Sequence, residues 1–328
     1  MKKRNIVILL TIIIALPLIA VACAFMINNY NQTLNFEPKE NSVTNYNNYV
    51  TSNYIDYRNG QFVYTARTLL GITGTIVDAN GNVNKVHGVG KQIQLTDDRV
   101  AFLSNGALFV SKERKNCVAQ NVDSFIVIEN GILYSKISNS YERTLYWYNI
   151  ETETSKAVAQ NIIAYCVDEE KLIVLNDDGW LTLYSATSVE KKTKLDINSY
   201  PFVLMLQNKC VLYKTLNKLC ILNLDTAEMK EIIMSESEYA NNHISFICDN
   251  DCIFYSFQAT RTDGSVVIDD DSTNNGVWSI DAATLEKHKL CDETFGKLYL
   301  WGDTLIGENE KGLYQISMIN GEQVKIIK

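Results

Sequence analysis

The stretch RTDGSVVIDDDSTNNGVWSID, residues 261–281, sets Asp269, Asp270 and Asp271 in a row and follows them with Asn274 and Asn275. Side-chain oxygens in that density suit a hard cation. A calcium loop presents about six or seven oxygens, usually at alternate positions with a glycine at the bend. Asp269, Asp270, Asp271 and Asn275 are the candidate ligands, with Gly276 at the bend, yet no glutamate follows where a bidentate ligand belongs. A solvated acidic loop is the plainer reading. Ser272 to Trp278 also approaches the sialidase Asp-box pattern SxDxGxTW. Asn274 stands where the aspartate belongs and one position before Trp278 is missing, so the match is accidental.

Other catalytic signatures are sparse. The histidines are His87, His243 and His288, and none sits in a GxSxG, HExxH or Cys-His context. His243, in NNHISFICDN, opens an apolar run and is the histidine placed to reach a central channel. Paired carboxylates for glycoside hydrolysis are defined by spatial separation, so the sequence selects no pair. A second kind of chemistry is recognition by aromatic rings. Phe125, Tyr165, Tyr200, Phe202 and Tyr239 fall at or near recurrent junctions that also carry Asn121, Asn161 and Asn198. Tyrosines bury large area at little entropic cost, so a rim of them could hold peptide or glycan. Packing of inner strands explains the same residues, and the asparagines fit turns. Tyr64, Tyr134, Tyr213 and Tyr255 each end an apolar run and read as packing residues.

The segments that carry these residues begin with an exported start. Lys2, Lys3 and Arg4 precede an apolar run from Ile6 to Ile27. About 20 apolar residues span a hydrocarbon core of roughly 30 Å, and the basic flank stays in the cytoplasm. Residues 1–4 are then the flank and 5–27 a transmembrane anchor or signal segment. Ala20-Val21-Ala22 offers a cleavage site, and Cys23 in IAVAC stands where a lipobox cysteine is lipidated. All three versions export the remaining chain. Residues 28–49, NNYNQTLNFEPKENSVTNYNNY, are polar and aperiodic, as a tether is. With Cys23 set aside, seven of the 8 cysteines remain. Cys210 with Cys220 and Cys248 with Cys252 flank hairpins and could pair, although free cysteines in apolar strands behave as small hydrophobes. The net charge of -8 speaks against a nucleic-acid surface.

Beyond the tether the chain repeats itself. VAQNVDSFIV from Val118 recurs as VAQNIIAYCV from Val158, forty residues on, and DINSYPFVLM from Asp196 keeps the asparagine-then-aromatic offset. Turn-plus-strand units such as ENGILYSK and QNKCVLYKT alternate with units such as TLYWYNIETETSKAV and GVWSIDAATLEKHKL. Each period therefore holds four strands joined by Asn, Asp and Gly turns. One such sheet cannot cover its own faces, whereas radial stacking lets each sheet cover its neighbour. The anchors give seven units, at about 50–88, 89–120, 121–160, 161–197, 198–234, 235–291 and 292–328. The expectation is an all-β fold, a seven-bladed β-propeller of four-stranded blades over residues 50–328, preceded by one N-terminal helix. Six blades or a β-sandwich are the alternatives.

The period and the LYxxxxxxxTL cadence resemble the DUF5050 group of bacterial extracellular propellers, which is similar in turn to YWTD and TolB-type propellers. YTAR, YSKI, YKTL and YSFQ stand where YWTD would. The resemblance implies the fold and an extracytoplasmic address. Together with the sparse catalytic signatures, it leads to a membrane-tethered binding and scaffold module for a cell-envelope protein, peptide or glycan. The binding candidates are Phe125, Tyr165, Tyr200, Phe202, Tyr239 and His243. A carbohydrate-active or lyase-type propeller enzyme is the alternative. No cofactor is called for other than the calcium weighed above.

Overall fold

A computed structural model describes residues 44–45, 55–68, 71–78, 80–90, 92–111, 115–129, 131–168, 171–185, 188–195, 203–206, 209–214, 218–233, 243–249, 251–258 and 275–326. The described part is all-β, a propeller of antiparallel sheets whose strands follow chain order from one edge to the other. Sheets 1 to 6 take residues 55–87, 93–120, 122–160, 162–194, 203–233 and 243–291, and each has four strands. Sheet 7, residues 297–325, also has four consecutive strands, but a further strand, Thr44–Asn45, pairs with its first edge. The expectation of seven four-stranded blades is corrected here. Six sheets have four strands, and the last has five because residues inside the stretch read as a tether return to it.

The first strand of each sheet lies inside and the fourth outside. Ile93–Leu95 and Lys297–Trp301 are almost wholly buried, whereas Thr154–Gln160 and Ser188–Lys194 are largely exposed. Burial follows from packing sheet on sheet. Val63 and Val86 of sheet 1 meet Ile93 and Phe102 of sheet 2. Leu108 meets Phe125, and Leu133 and Leu145 meet Ile162 and Val174. One larger cluster runs through sheets 4, 5 and 6, from Ile173 past Val211 to Phe246. Sheet 6 then packs on sheet 7 through Phe254 and Leu298. The circle closes where Tyr57 and Phe62 of sheet 1 meet Tyr299 and Trp301 of sheet 7. Every sheet thus has an apolar neighbour on both faces, as radial stacking requires.

Turn chemistry appears where the repeat places it. Asn59-Gly60 links the first and second strands of sheet 1, with φ of 50° and 74°, and Asn105-Gly106 the second and third strands of sheet 2, with φ of 49° and 73°. Positive φ at both central residues suits a two-residue hairpin. Asn121 and Asn161 hand one sheet on to the next, at φ 60° and 54°. Their carbonyls accept the amides of Ile137 and Asp177 at 2.9 and 2.8 Å, which fixes each new sheet against its own second strand. In the two cysteine hairpins, Cys210 stands opposite Leu222 and Cys248 opposite Ile253. Neither suggested pair is cross-strand, and none of Cys220, Cys248 and Cys252 is in a disulfide.

Candidate functional site: the junction face of sheets 3 and 4

The fold has two ends. The strand directions put the sheet-to-sheet junctions and the loops between second and third strands on one end, here the junction face. The hairpins between first and second and between third and fourth strands occupy the other, the turn face. On the junction face, the loop after Ile137 is pinned by its own polar groups. Ser138 N–H donates to the Glu142 carbonyl at 2.9 Å, and Tyr141 N–H to the Ser138 carbonyl at 3.0 Å. The Ser138 hydroxyl accepts the amides of Ser140 and Glu142, both at 3.2 Å. At the tip Tyr141 is 86% exposed and holds φ 64°. Left-handed backbone is uncommon for a bulky residue and persists only where its surroundings impose it. The loop therefore spends conformational strain to hold a ring in solvent.

The next sheet repeats the arrangement with a larger ring. Trp180 opens the third strand of sheet 4 and is 41% exposed. Its N–H donates to Asn176 Oδ1 at 2.8 Å. Lys194 Nζ lies 5.1 Å from the ring centroid, a cation–π contact, and donates to the Asp178 carbonyl. One side of the indole is thereby covered by a fixed charge.

The same face carries a polar network. Arg143 Nε donates to Asp123 Oδ2 at 2.8 Å, with the two side chains 44% and 26% exposed. Ser135 Oγ donates to Asp123 Oδ1. The Ser124 and Ser135 hydroxyls share a bond of 2.8 Å, and Ser124 Oγ meets Tyr165 OH at 3.1 Å. The network ties sheet 3 to sheet 4. Burial pushes the Tyr165 phenol up from its ordinary range, against the hydrogen bond from Ser124, so it stays protonated as a donor or acceptor. The arrangement offers a guanidinium, a carboxylate and hydroxyls on the face that carries the two exposed rings. It suits reversible recognition of an amphipathic polar surface.

Of the residues singled out from the sequence, Phe125 is wholly buried between sheets 2 and 3. Its backbone is clasped by the amide of Gln92, whose Nε2 donates to the Phe125 carbonyl at 2.5 Å and whose Oε1 accepts Phe125 N–H at 3.2 Å. Tyr165 packs against the cluster between sheets 3 and 4. His243 begins the inner strand of sheet 6, in register with Gln258. Tyr200, Phe202 and Tyr239 lie outside the described residues, as do Asp269, Asp270, Asp271, Cys23 and the segment 5–27. Asn275 immediately precedes the third strand of sheet 6. Among the described residues no group of three metal-ligating side chains occurs. His288 is exposed, its Nε2 3.9 Å from Glu286. His87 borders a groove of about 600 Å³ between sheets 1 and 2, together with Gln61, Asn84 and Val100. Tyr64, Tyr134 and Tyr255 are buried, as packing residues should be. Tyr141 and Trp180 were not apparent in the sequence. Their signals would have been an aromatic inside a polar loop (SNSYER) and one directly after a turn (DDGW).

A separate pair marks the junction end of sheet 7. Lys297 stands opposite Glu308, whose Oε2 accepts Tyr299 OH at 2.8 Å. Burial lowers the Lys297 ammonium from 10.5 to about 8, with Glu308 opposing the shift. The folded value lies below the unfolded one, so the cost of holding the charge is present in full below about 8. It is relieved as pH rises from there, where the unfolded chain holds the extra proton. Urea unfolding followed from about 8 toward 10 should therefore show a gain in stability that Lys297→Met abolishes. An identical slope in the variant would assign the gain elsewhere.

No family model matches the chain, and no curated protein matches it. Solved structures do share its fold. One is the computationally designed Ika8 protein, at 10% identity over 88% of each chain and TM-score 0.55. Another is a chain of the S. cerevisiae Dbp5 assembly with Nup159 and Gle1, at 11% identity over 87% of this chain and 95% of that one, TM-score 0.51. A third is Saccharomyces cerevisiae Sqt1, at 10% identity over 90% and 86%, TM-score 0.52. At such identities the likeness is one of architecture, and what it establishes is a β-propeller.

Proposed function

We propose that the protein is a binding and scaffold module that presents the junction face of sheets 3 and 4 to a protein, peptide or glycan partner. In this reading residues 5–27 anchor it in a membrane, with the propeller outside the cytoplasm as in the DUF5050 group it resembles. The partner is then a component of the cell envelope. The observation that carries the proposal is the pair Tyr141 and Trp180, held exposed on adjacent sheets, the first by a strained and hydrogen-bonded loop and the second by a hydrogen-bonded turn. Rings of this kind dominate the energetics of interfaces, and a fixed scaffold spares their partner the ordering cost. A propeller of similar fold is found in the assembly of Dbp5 with Nup159 and Gle1, which supports use of the fold as a platform.

The test is capture of partners from envelope extracts by immobilised full-length protein in detergent, with identification by mass spectrometry. Tyr141→Ala and Trp180→Ala should each weaken the recovered interaction about tenfold or more, as hot-spot truncations do. The melting temperature of Tyr141→Ala should stay at the parent value because that ring is exposed, and that of Trp180→Ala should fall only slightly, since its ring is 41% exposed and packs on Lys194. Affinity unchanged in the double variant would end the proposal for this face.

A further inference from the structure

The strand Thr44–Asn45 sits at an unusual edge. It pairs with the innermost strand of sheet 7, Thr44 opposite Trp301 and Asn45 opposite Leu300. The order of that sheet runs from Thr44–Asn45 through Lys297–Trp301 outward to Gln323–Lys325. The added strand therefore lies in the axle. It also touches the innermost strand of sheet 1. Sheet 7 draws its other four strands entirely from the C-terminal residues, so no strand is exchanged between sheet 1 and sheet 7 to lock the circle. Side-chain packing around Trp301 and this one short strand bridge the two ends of the repeat.

Direction adds a second fact. Lys297–Trp301 runs from the junction face to the turn face, since Lys297 pairs with the end of the second strand and Trp301 with its beginning. The pairing with Thr44–Asn45 is antiparallel, so the N-terminal strand runs the opposite way. Thr44 is therefore the turn-face end of this strand and Asn45 its junction-face end, the end at which Ile55 opens sheet 1.

We infer that the N-terminal segment enters the axle from the turn face, pins sheet 7 beside sheet 1 by backbone pairing, and so fixes which end of the propeller its N-terminal tail leaves by. The pairing closes the ring at its one junction without continuous chain, and it occupies an inner edge that would otherwise offer unpaired backbone groups. Joined to the membrane-anchor reading, on which this last step alone rests, it turns the junction face with Tyr141 and Trp180 away from the anchored end.

Two measurements on the full chain in detergent test the inference without reference to the anchor. Hydrogen exchange of the segment around Thr44 and Asn45 should be slowed about a hundredfold relative to an unstructured chain, as paired backbone is. The double variant Thr44→Pro/Asn45→Pro, which removes both donors, should abolish that protection and speed exchange at Leu300 and Trp301. Amine cross-linking with mass spectrometry should then join Lys39, five residues before Thr44, to Lys209 or Lys287 of the turn face. Exchange at random-coil rates in the parent protein overturns the pairing. Cross-links from Lys39 to Lys136 or Lys311 of the junction face overturn the direction. Labelling of Tyr141→Cys in sealed membranes separately tests the anchor, so failure of that reading is distinguishable from failure of the strand.

Discussion

Replacement of Trp301 by alanine should lower the unfolding free energy by about 3–5 kcal/mol, the range for removing a fully buried aromatic side chain. Trp301 is 1% exposed and stands where sheet 7 meets sheet 1. Its ring centroid lies 5.6 Å from Tyr57 and 5.2 Å from Phe62, the latter edge-on. Aromatic pairs of this geometry add about 0.5–1.5 kcal/mol each beyond the area they bury. The position matters more than the size of the ring. Elsewhere in the circle a cavity loosens two sheets that a short covalent link still holds together. Between sheet 1 and the four C-terminal strands of sheet 7 no such link exists, and the loss falls on the apolar seam that joins the two ends of the repeat. Urea unfolding of the Trp301→Ala and Tyr141→Ala variants makes the comparison, because Tyr141 is exposed and should cost almost nothing. A Trp301→Ala effect below about 1 kcal/mol, well short of the cavity range, would mean that the circle does not depend on this seam.

How much of this was legible in the sequence follows from what each residue type must do. Turn asparagines announce themselves, because left-handed backbone tolerates few side chains, and the recurrence of Asn121 and Asn161 with the same offsets marked where one sheet hands over to the next. The unit boundaries fall beside the observed sheets for the same reason. The fifth strand was illegible. Thr44–Asn45 sits in a polar, asparagine-rich stretch whose pairing is made by backbone, which leaves no periodic pattern of side chains. Aromatic residues misled in a particular way. A ring at a junction reads equally as rim or core, and Phe125, which lies at such a position, is wholly buried. The exposed rings, Tyr141 and Trp180, lie in short polar loops that carry no repeat signal. Hidden most deeply were the buried polar residues of the axle. Asp56, Gln92, Gln94 and Ser245 interrupt or border apolar runs, and nothing in their spacing states that they bond to the neighbouring sheet.

Those axial residues share one task, and Asp56 shows it with the largest expected consequence. Sheets in a propeller are not hydrogen-bonded to each other through their edges, so the first strands leave backbone amides facing the next sheet. Here side chains meet them. Leu298 N–H donates to Ser245 Oγ at 2.9 Å and Val127 N–H to Gln94 Oε1 at 2.7 Å. Asp56, 1% exposed, accepts Tyr57 N–H at 2.7 Å and, across to sheet 2, Leu95 N–H at 2.5 Å. Two opposing effects bear on Asp56→Ala. Removing a buried carboxylate recovers its desolvation cost, which for some buried ionic groups makes the apolar replacement neutral or better. Against that, the variant strands two buried amide donors at about 1–3 kcal/mol each, and alanine cannot fill the space. Because both partners are backbone groups that stay in place whatever the side chain, the second effect should win, with a net loss of about 2–5 kcal/mol. Asp56→Asn keeps one acceptor oxygen and should fall between parent and alanine. The amide of Leu95 should exchange faster in the same order. If Asp56→Ala unfolds at the parent urea midpoint, desolvation dominates, and the side-chain clasps of the axle specify register between sheets without adding to stability.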